Sequence, residues 1–254
     1  MKNKPAIVMI HGLLGSLDFF SPNNRLPDFD VYTPHLIGYG GLDNRDDTEN
    51  LSLQDQVNFV KELVVNDIKE PCWLLGHSVG GAIVMMFAAQ NPELVAGIIN
   101  VEGNFTLNDA FWCKKVAQLD AGEWERDYQK MRAEPEKWLL NGGIDSTPER
   151  LAWAKQILDY QPASTAQAVA KAVVRDTASP DYAQTVQQVA KQQTTIYLIA
   201  GERSKDEWDV SPQVRSAAVQ FIVQPNTGHM MMLEAPEEFC EIVRNIILQK
   251  VVRD

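Results

Sequence analysis

Ser78 stands in Gly76-His77-Ser78-Val79-Gly80, where a sharp turn would lift its hydroxyl clear of the backbone and free it to act as a nucleophile. The run before it, Cys72-Trp73-Leu74-Leu75, is apolar and strand-like. The run after it, Gly81-Ala82-Ile83-Val84-Met85-Met86-Phe87-Ala88-Ala89, reads as a helix ending near Pro92. Strand, turn and helix are the context that this spacing requires. The flanking glycines remove side chains that would collide with the neighbouring strand and helix. The helix start aims amide dipoles at developing negative charge. A serine hydroxyl is a weak nucleophile at neutral pH, so a base is needed. Of the four histidines, His77 adjoins Ser78 and is directed away to buttress the turn. His35 lies in Thr33-Pro34-His35-Leu36, and His11 precedes a glycine as a loop-fixing group. His229, in Asn226-Thr227-Gly228-His229, falls between the last strand and the last helix, at the sheet edge where sites collect, and is the expected base. His11-Gly12-Leu13-Leu14-Gly15 also ends a strand. The amides of Leu13 and Val79 are the expected pair of donors for an oxyanion.

The elements that must position these residues read as short apolar runs alternating with helices. The runs are Ala6–Ile10, Phe29–Thr33, Cys72–Leu75, Gly97–Val101, Thr195–Ala200 and Val219–Val223. Continuous apolar character suits parallel strands covered on both faces. Ser52 with Asp55 reads as a helix cap ahead of the buried face Leu53, Val57, Val60 and Val64. Ser211-Pro212 opens another helix, and Pro236 opens the last, with the face Phe239, Ile242, Val243, Ile246 and Ile247. The expectation is a doubly wound, mostly parallel α/β sheet of about six strands. Residues 104–191 break the alternation and read as short helices divided by Gly122, Pro135, Gly142-Gly143, Pro148, Pro162 and Pro180. An insertion so long is expected to be a helical lid over the sheet edge, with residues 1–103 and 192–254 as the core of one structural domain. Four of the six tryptophans lie in the insertion, Trp112, Trp124, Trp138 and Trp153.

The 254 residues fit one α/β domain, and 45% apolar content is ordinary for a sizeable core. A net charge of −11, from 34 acids against 23 bases, argues against nucleic acid as a partner. Cys72, Cys113 and Cys240 show neither disulfide nor zinc spacing and read as small buried thiols of a reducing compartment. Ala6–Ile10 is too short for a signal-peptide core, and no stretch is long enough to span a bilayer, so a cytoplasmic protein without membrane association is expected. Neither a metal constellation nor a dinucleotide fingerprint is present, so no cofactor is implied.

These motifs resemble the α/β-hydrolase superfamily along nearly the whole chain. The resemblance rests on His11-Gly12-Leu13-Leu14-Gly15, Gly38-Tyr39-Gly40, Gly76-His77-Ser78-Val79-Gly80-Gly81, and Gly228-His229 followed by Glu234-Ala235-Pro236. It implies a serine–histidine–acid triad, an oxyanion hole, and a lid after the strand that follows the nucleophile helix. Two departures stand out. The first two strands usual in the family are absent ahead of His11. The acid that the family usually carries three residues after the glycine of the penultimate strand falls on Ser204 in Gly201-Glu202-Arg203-Ser204, which cannot hold a charge. Three carboxylates can replace it. Some relatives carry a glutamate after the strand that follows the nucleophile helix, which here is Glu102 in Val101-Glu102-Gly103. Asp206 and Asp209 are nearer in sequence but lie in a polar run that reads as a solvated loop. Side-chain reach from the more distant strand favours Glu102.

A serine nucleophile speaks against alkyl-enzyme chemistry and leaves an acyl-enzyme route. The expected reaction is hydrolysis of a carboxylic ester, or related acyl bond, of a small, largely apolar substrate. Trp112, Trp153 and Met230 are the candidate pocket residues, although Met230, Met231 and Met232 read more readily as core filler. A cofactor-free carbon–carbon hydrolase or lyase of the same fold, or a slow-turnover ligand receptor, would share these motifs. The sequence leaves the oligomeric state open.

Overall fold

The computed structural model describes residues 4–41, 50–192 and 194–251. Six strands form one sheet: β1 (Ala6–Ile10), β2 (Asp30–Tyr32), β3 (Cys72–His77), β4 (Val95–Val101), β5 (Ile196–Gly201) and β6 (Gln220–Gln224). Their order is β2-β1-β3-β4-β5-β6, and every neighbouring pair is parallel. Each expected strand is present. The one expected at Phe29–Thr33 shrinks to three residues at the sheet edge, and Pro34, which has no amide to donate, follows it closely.

Period-two alternation divides the strands between two apolar layers. Ala6, Val8 and Ile10 pack on one side of β1, and Ile7 and Met9 on the other. Leu198 and Ala200 of β5 likewise oppose Tyr197 and Ile199. β1, β3 and β5 are buried along their whole length, which is why those runs are continuously apolar, whereas the edge strands β2 and β6 are partly exposed. Each such Leu or Ile contributes about 1.5–3 kcal/mol by leaving water.

Helix α1 (Leu53–Leu63) opens with the expected reciprocal cap. The Asp55 amide donates to the Ser52 hydroxyl at 3.1 Å, and the Ser52 amide to the Asp55 carboxylate at 2.8 Å. Leu53, Val57, Val60 and Val64 are buried, as their spacing requires. Helix α2 (Val79–Gln90) follows β3 directly. Between β4 and β5 six helices run in succession: α3 (Phe111–Gln118), α4 (Ala121–Ala133), α5 (Pro135–Asn141), α6 (Pro148–Asp159), α7 (Ala163–Thr177) and α8 (Pro180–Lys191). No strand interrupts them among the described residues. Gly122 does not divide helices as expected. It lies in the first turn of α4, because Asp120 and Glu123 form a capping box just ahead of it. Helices α9 (Pro212–Ala217) and α10 (Pro236–Val251) complete the chain. Helix α8 packs on α2 and α9 and so belongs to the layer that covers the sheet, while α3 and α4 pack on α7.

Cys72, Cys113 and Cys240 are buried and unpaired, and burial pushes each thiol up to about 12. Among the described residues no helix is long and apolar enough to cross a membrane.

A methyl group at Gly80 would overlap the backbone carbonyls of Ile10 and His11, whereas one at Gly122 would meet only the flexible ends of Asp120 and Arg126. Gly80→Ala is therefore expected to cost about 2–3 kcal/mol. Gly122→Ala should gain roughly 0.5–1 kcal/mol by restricting the unfolded chain. Urea unfolding of the two variants checks the opposite signs.

Candidate active site

β1 and β3 are neighbours although β2 intervenes in sequence, so strand order reverses between them. In parallel sheets the carboxyl edge beside such a reversal is where sites form. Leu13 follows β1 and Ser78 follows β3. Glu102, Ser204 and His229 follow β4, β5 and β6, so all five lie along the same edge.

Ser78 adopts φ 54°, ψ −120°, a conformation that costs a non-glycine residue about 1–3 kcal/mol and persists only where its surroundings over-determine it. Its amide donates to Val101 O at 3.1 Å, and its carbonyl accepts from Gly81 at 2.9 Å and Asn104 at 3.1 Å. Close approach needs the glycines. A Cβ on Gly76 would run into the Gly80 backbone, and Cβ atoms on Gly81 and Gly103 would strike the opposite residue's Cα. Gly12 lies against Ser78 itself, where an added Cβ would sit 3.0 Å from the serine Cβ. The Val79 amide, first in α2, has no partner within the helix. Neither it nor the Leu13 amide donates to a protein acceptor among the described residues. The Tyr39 hydroxyl donates to Leu13 O at 2.9 Å and holds that peptide.

His229 Nδ1 lies 2.7 Å from Glu102 Oε2. The carboxylate can only accept, so Nδ1 carries the proton and Nε2 is left with its lone pair. Glu102 Oε1 accepts from the Ser204 hydroxyl at 2.6 Å and the Gly201 amide at 2.8 Å. The side chain of Glu102 is 4% exposed, against 44% for His229. Burial alone would raise the Glu102 pKa. The bonds from His229, Ser204 and Gly201 outweigh it and hold the carboxyl below its ordinary value. The serine at the usual acid position thus serves the acid from the neighbouring strand.

His77 fastens the histidine loop. Its Nε2–H donates to the backbone oxygen of His229 at 2.9 Å, and the two rings lie 4.6 Å apart. Burial and the neighbouring His229 push its pKa well down, so it stays a neutral donor. Glu234, from the motif after His229, accepts the Gly228 amide at 2.7 Å and Arg203 at 2.6 Å. His11 is buried, donates from Nδ1 to Gly12 O at 2.8 Å, and has its pKa lowered to about 4 by burial. His35 is exposed and edges onto Tyr160 at 5.2 Å. The Ser78 hydroxyl makes no protein hydrogen bond among the described residues.

The other candidates lie elsewhere. Asp206 is exposed and pairs with Lys205 at 2.9 Å. Asp209 accepts from the Thr106 hydroxyl at 2.8 Å and Asn108 at 2.9 Å, clipping the loop after β5 to the loop after β4. The run expected to be a solvated loop is only partly so. Trp208 within it is buried, stacks on Phe105 at 5.5 Å and donates to Gly103 O at 2.7 Å.

A small cleft opens beside His229, lined by Glu102, Asp109, Phe111, Ser204, Glu207 and Trp208. The expected pocket residues do not line it. Trp112 edges onto Trp124 at 6.4 Å, and Trp153 onto Phe19 at 5.7 Å. Met230 packs half-buried against the cluster that Met231 and Met232 fill. Phe111, at the start of α3, is 67% exposed and turns toward the cleft while its neighbour Trp112 turns inward. The cleft carries acids and no Lys or Arg, and burial raises the Asp109 pKa against the amide bonds from Asp209, Thr106 and Phe105.

Residues 7–242 match the alpha/beta hydrolase family, and the chain belongs to that family. It is an enzyme fold of known breadth. An uncharacterised protein of Mycobacterium tuberculosis is 33% identical over 121 residues, a match covering 46% of this chain and 35% of that relative's length. A putative 2-succinyl-6-hydroxy-2,4-cyclohexadiene-1-carboxylate synthase of Haemophilus influenzae is 23% identical over 97% of this chain and 98% of its own. Among solved structures, a carboxylesterase of the thaumarchaeon Nitrososphaera gargenis superposes with a TM-score of 0.76 at 20% identity, covering 99% of this chain and 92% of that one. MenH from S. aureus gives 0.73 at 14% identity over 98% and 95%. These structural likenesses establish the fold.

Glu102→Gln is expected to lower kcat by about a hundredfold or more, because the tautomer of His229 is no longer fixed. Asp206→Asn and Asp209→Asn should change it little, and steady-state rates on the three variants decide the acid. The same glutamate sets an acid dependence. Its folded pKa is lowered from the ordinary 4.5, so its ionised form stabilises the fold above that value. The contribution is lost as pH falls through the lowered one. The stability gap between wild type and Glu102→Gln should be widest near neutrality and close in acid, as read from urea midpoints across pH.

Proposed function

We propose that the chain is a serine hydrolase acting on carboxylic esters of small, largely apolar molecules through an acyl-enzyme. The observation that carries the reading is the 2.7 Å bond from His229 Nδ1 to buried Glu102, on the same sheet edge as a serine held at φ 54°. Ser78 Oγ attacks the ester carbonyl as its proton passes to His229 Nε2, and Glu102 stabilises the imidazolium that results. The carbonyl oxygen becomes an oxyanion facing the amides of Leu13 and Val79. Collapse expels the alkoxide, which takes the proton from His229. Water, deprotonated by the same nitrogen, then attacks the acyl-enzyme and restores Ser78. Phe111 and Trp208 give the cleft an apolar wall for the leaving group. The helical insertion serves as a lid over this edge, and three unpaired cysteines suit a reducing, cytoplasmic compartment.

The synthase of Haemophilus influenzae, matched along nearly its whole length, supports a second reading as a cofactor-free lyase of the same fold. A substrate carrying carboxylates calls for Arg or Lys near the reacting atoms. The cleft beside His229 instead presents Asp109 and Glu207, which favours neutral esters.

A panel of p-nitrophenyl esters of increasing chain length tests the proposal. Wild type should show burst kinetics and covalent labelling by a fluorophosphonate at Ser78 alone. Ser78→Ala should lose at least about a thousandfold in kcat with its unfolding midpoint nearly unchanged. Retained hydrolysis in Ser78→Ala would remove serine from the mechanism. Turnover confined to dicarboxylate substrates would favour the lyase.

A further inference from the structure

Gln161 lies in the bend between α6 and α7, 146 positions from Gly15 in the sequence, yet its side chain is buried against the loop that follows β1. Its Oε1 accepts the Gly15 amide at 2.7 Å. Its Nε2 donates to Ile157 O at 3.1 Å and to the Tyr128 hydroxyl, which in turn donates to Leu158 O at 2.9 Å. Both ends of the amide are therefore in use, and the network reaches into α4. Two neighbouring contacts join the same surfaces. The Gly40 amide donates to Tyr160 O at 3.0 Å, and Ile157 lies so close to Gly15 that an added Cβ there would sit 3.0 Å from its Cγ2.

The loop after β1 is thus held at two points that bracket Leu14. The Tyr39 hydroxyl takes the carbonyl of Leu13, and Gln161 takes the amide of Gly15. The first contact comes from the core and the second from the helical insertion. We propose that Gln161 is a positioning residue that aims the Leu13 amide at the oxyanion, so the insertion as well as the sheet sets the geometry of the transition state. This rests on Leu13 and Val79 being the oxyanion donors. The physical ground is that a donor stabilises developing charge only if it is aligned before the charge appears. Without an acceptor, the buried Gly15 amide would be left unpaired and the loop would turn to find water.

Gln161→Met keeps the length and burial of the side chain and removes the acceptor. Tyr128→Phe loosens the outer part of the network and leaves the Gly15 bond intact. In Gln161→Met, amide exchange across residues 12–16 should quicken and kcat on a p-nitrophenyl ester should fall, each by about tenfold, with KM within about twofold of wild type. Tyr128→Phe should lower the unfolding temperature and leave kcat and that exchange unchanged. If Gln161→Met exchanges and turns over like wild type, or if Tyr128→Phe reproduces both of its defects, Gln161 has no positioning role. Faster exchange with an undiminished kcat would instead overturn the assignment of Leu13 as an oxyanion donor, and the catalytic part of the inference with it.

Discussion

Three stretches of backbone converge on Ser78, and the convergence is possible only where side chains are missing. The start of α2 is pressed onto the end of β1 at Gly80, back on its own strand at Gly76, and against the loop after β4 at Gly81 and Gly103. This packing, with amide bonds from Ser78 to Val101 and from Asn104 to Ser78, over-determines the serine and holds it at φ 54°. The strain is local and the glycines are close in sequence, but the contacts join β1, β3 and β4. The conformation of Ser78 therefore depends on the pairing of the central strands. Every other part of the candidate site is placed relative to that junction.

His229 is held from three directions. Glu102 accepts a hydrogen bond from Nδ1, His77 donates one to the backbone oxygen, and Glu234 accepts one from the amide of the preceding glycine. Glu102 is in turn fixed by the Gly201 amide at the end of β5 and by the Ser204 hydroxyl just beyond it. The acid therefore hangs from one strand and is steadied from the next. A buried carboxylate needs such company, because burial without it would favour the neutral acid. Asp209 bonding to Thr106 and Asn108, and Trp208 stacking on Phe105, tie the two loops together from outside.

Much of this was legible in the chain. Strands buried on both faces leave continuous apolar runs, so all six could be located to within about two residues, and glycines at 76, 80 and 81 marked the turn. Ser204 was informative by being the wrong residue for an acid, and its hydroxyl now accounts for itself as a donor to Glu102. The cleft was not legible. Phe111 and Trp112 are adjacent and both aromatic, and which of them faces outward depends on how the first turn of α3 sits on α7, a contact between residues far apart in sequence. The run from Ser204 to Asp209 has the composition of a solvated loop, yet a single tryptophan anchors it. Composition averages over six residues and cannot register one that turns inward. Gln161 gave no local signal, since its partner Gly15 lies 146 positions away in the sequence.

The three cysteines have a practical meaning for chemistry at the surface. Each is sealed in the apolar interior with its thiol pushed up to about 12, so the neutral thiol is the form present at neutral pH. Electrophiles and oxidants that attack sulfur first in most proteins find none available while this fold is intact. On the mechanism proposed above, hard acylating or phosphonylating reagents would meet the part-buried Ser78 hydroxyl instead. Thiol reactivity then reports unfolding, and labelling of Ser78 the folded state, within the same chain.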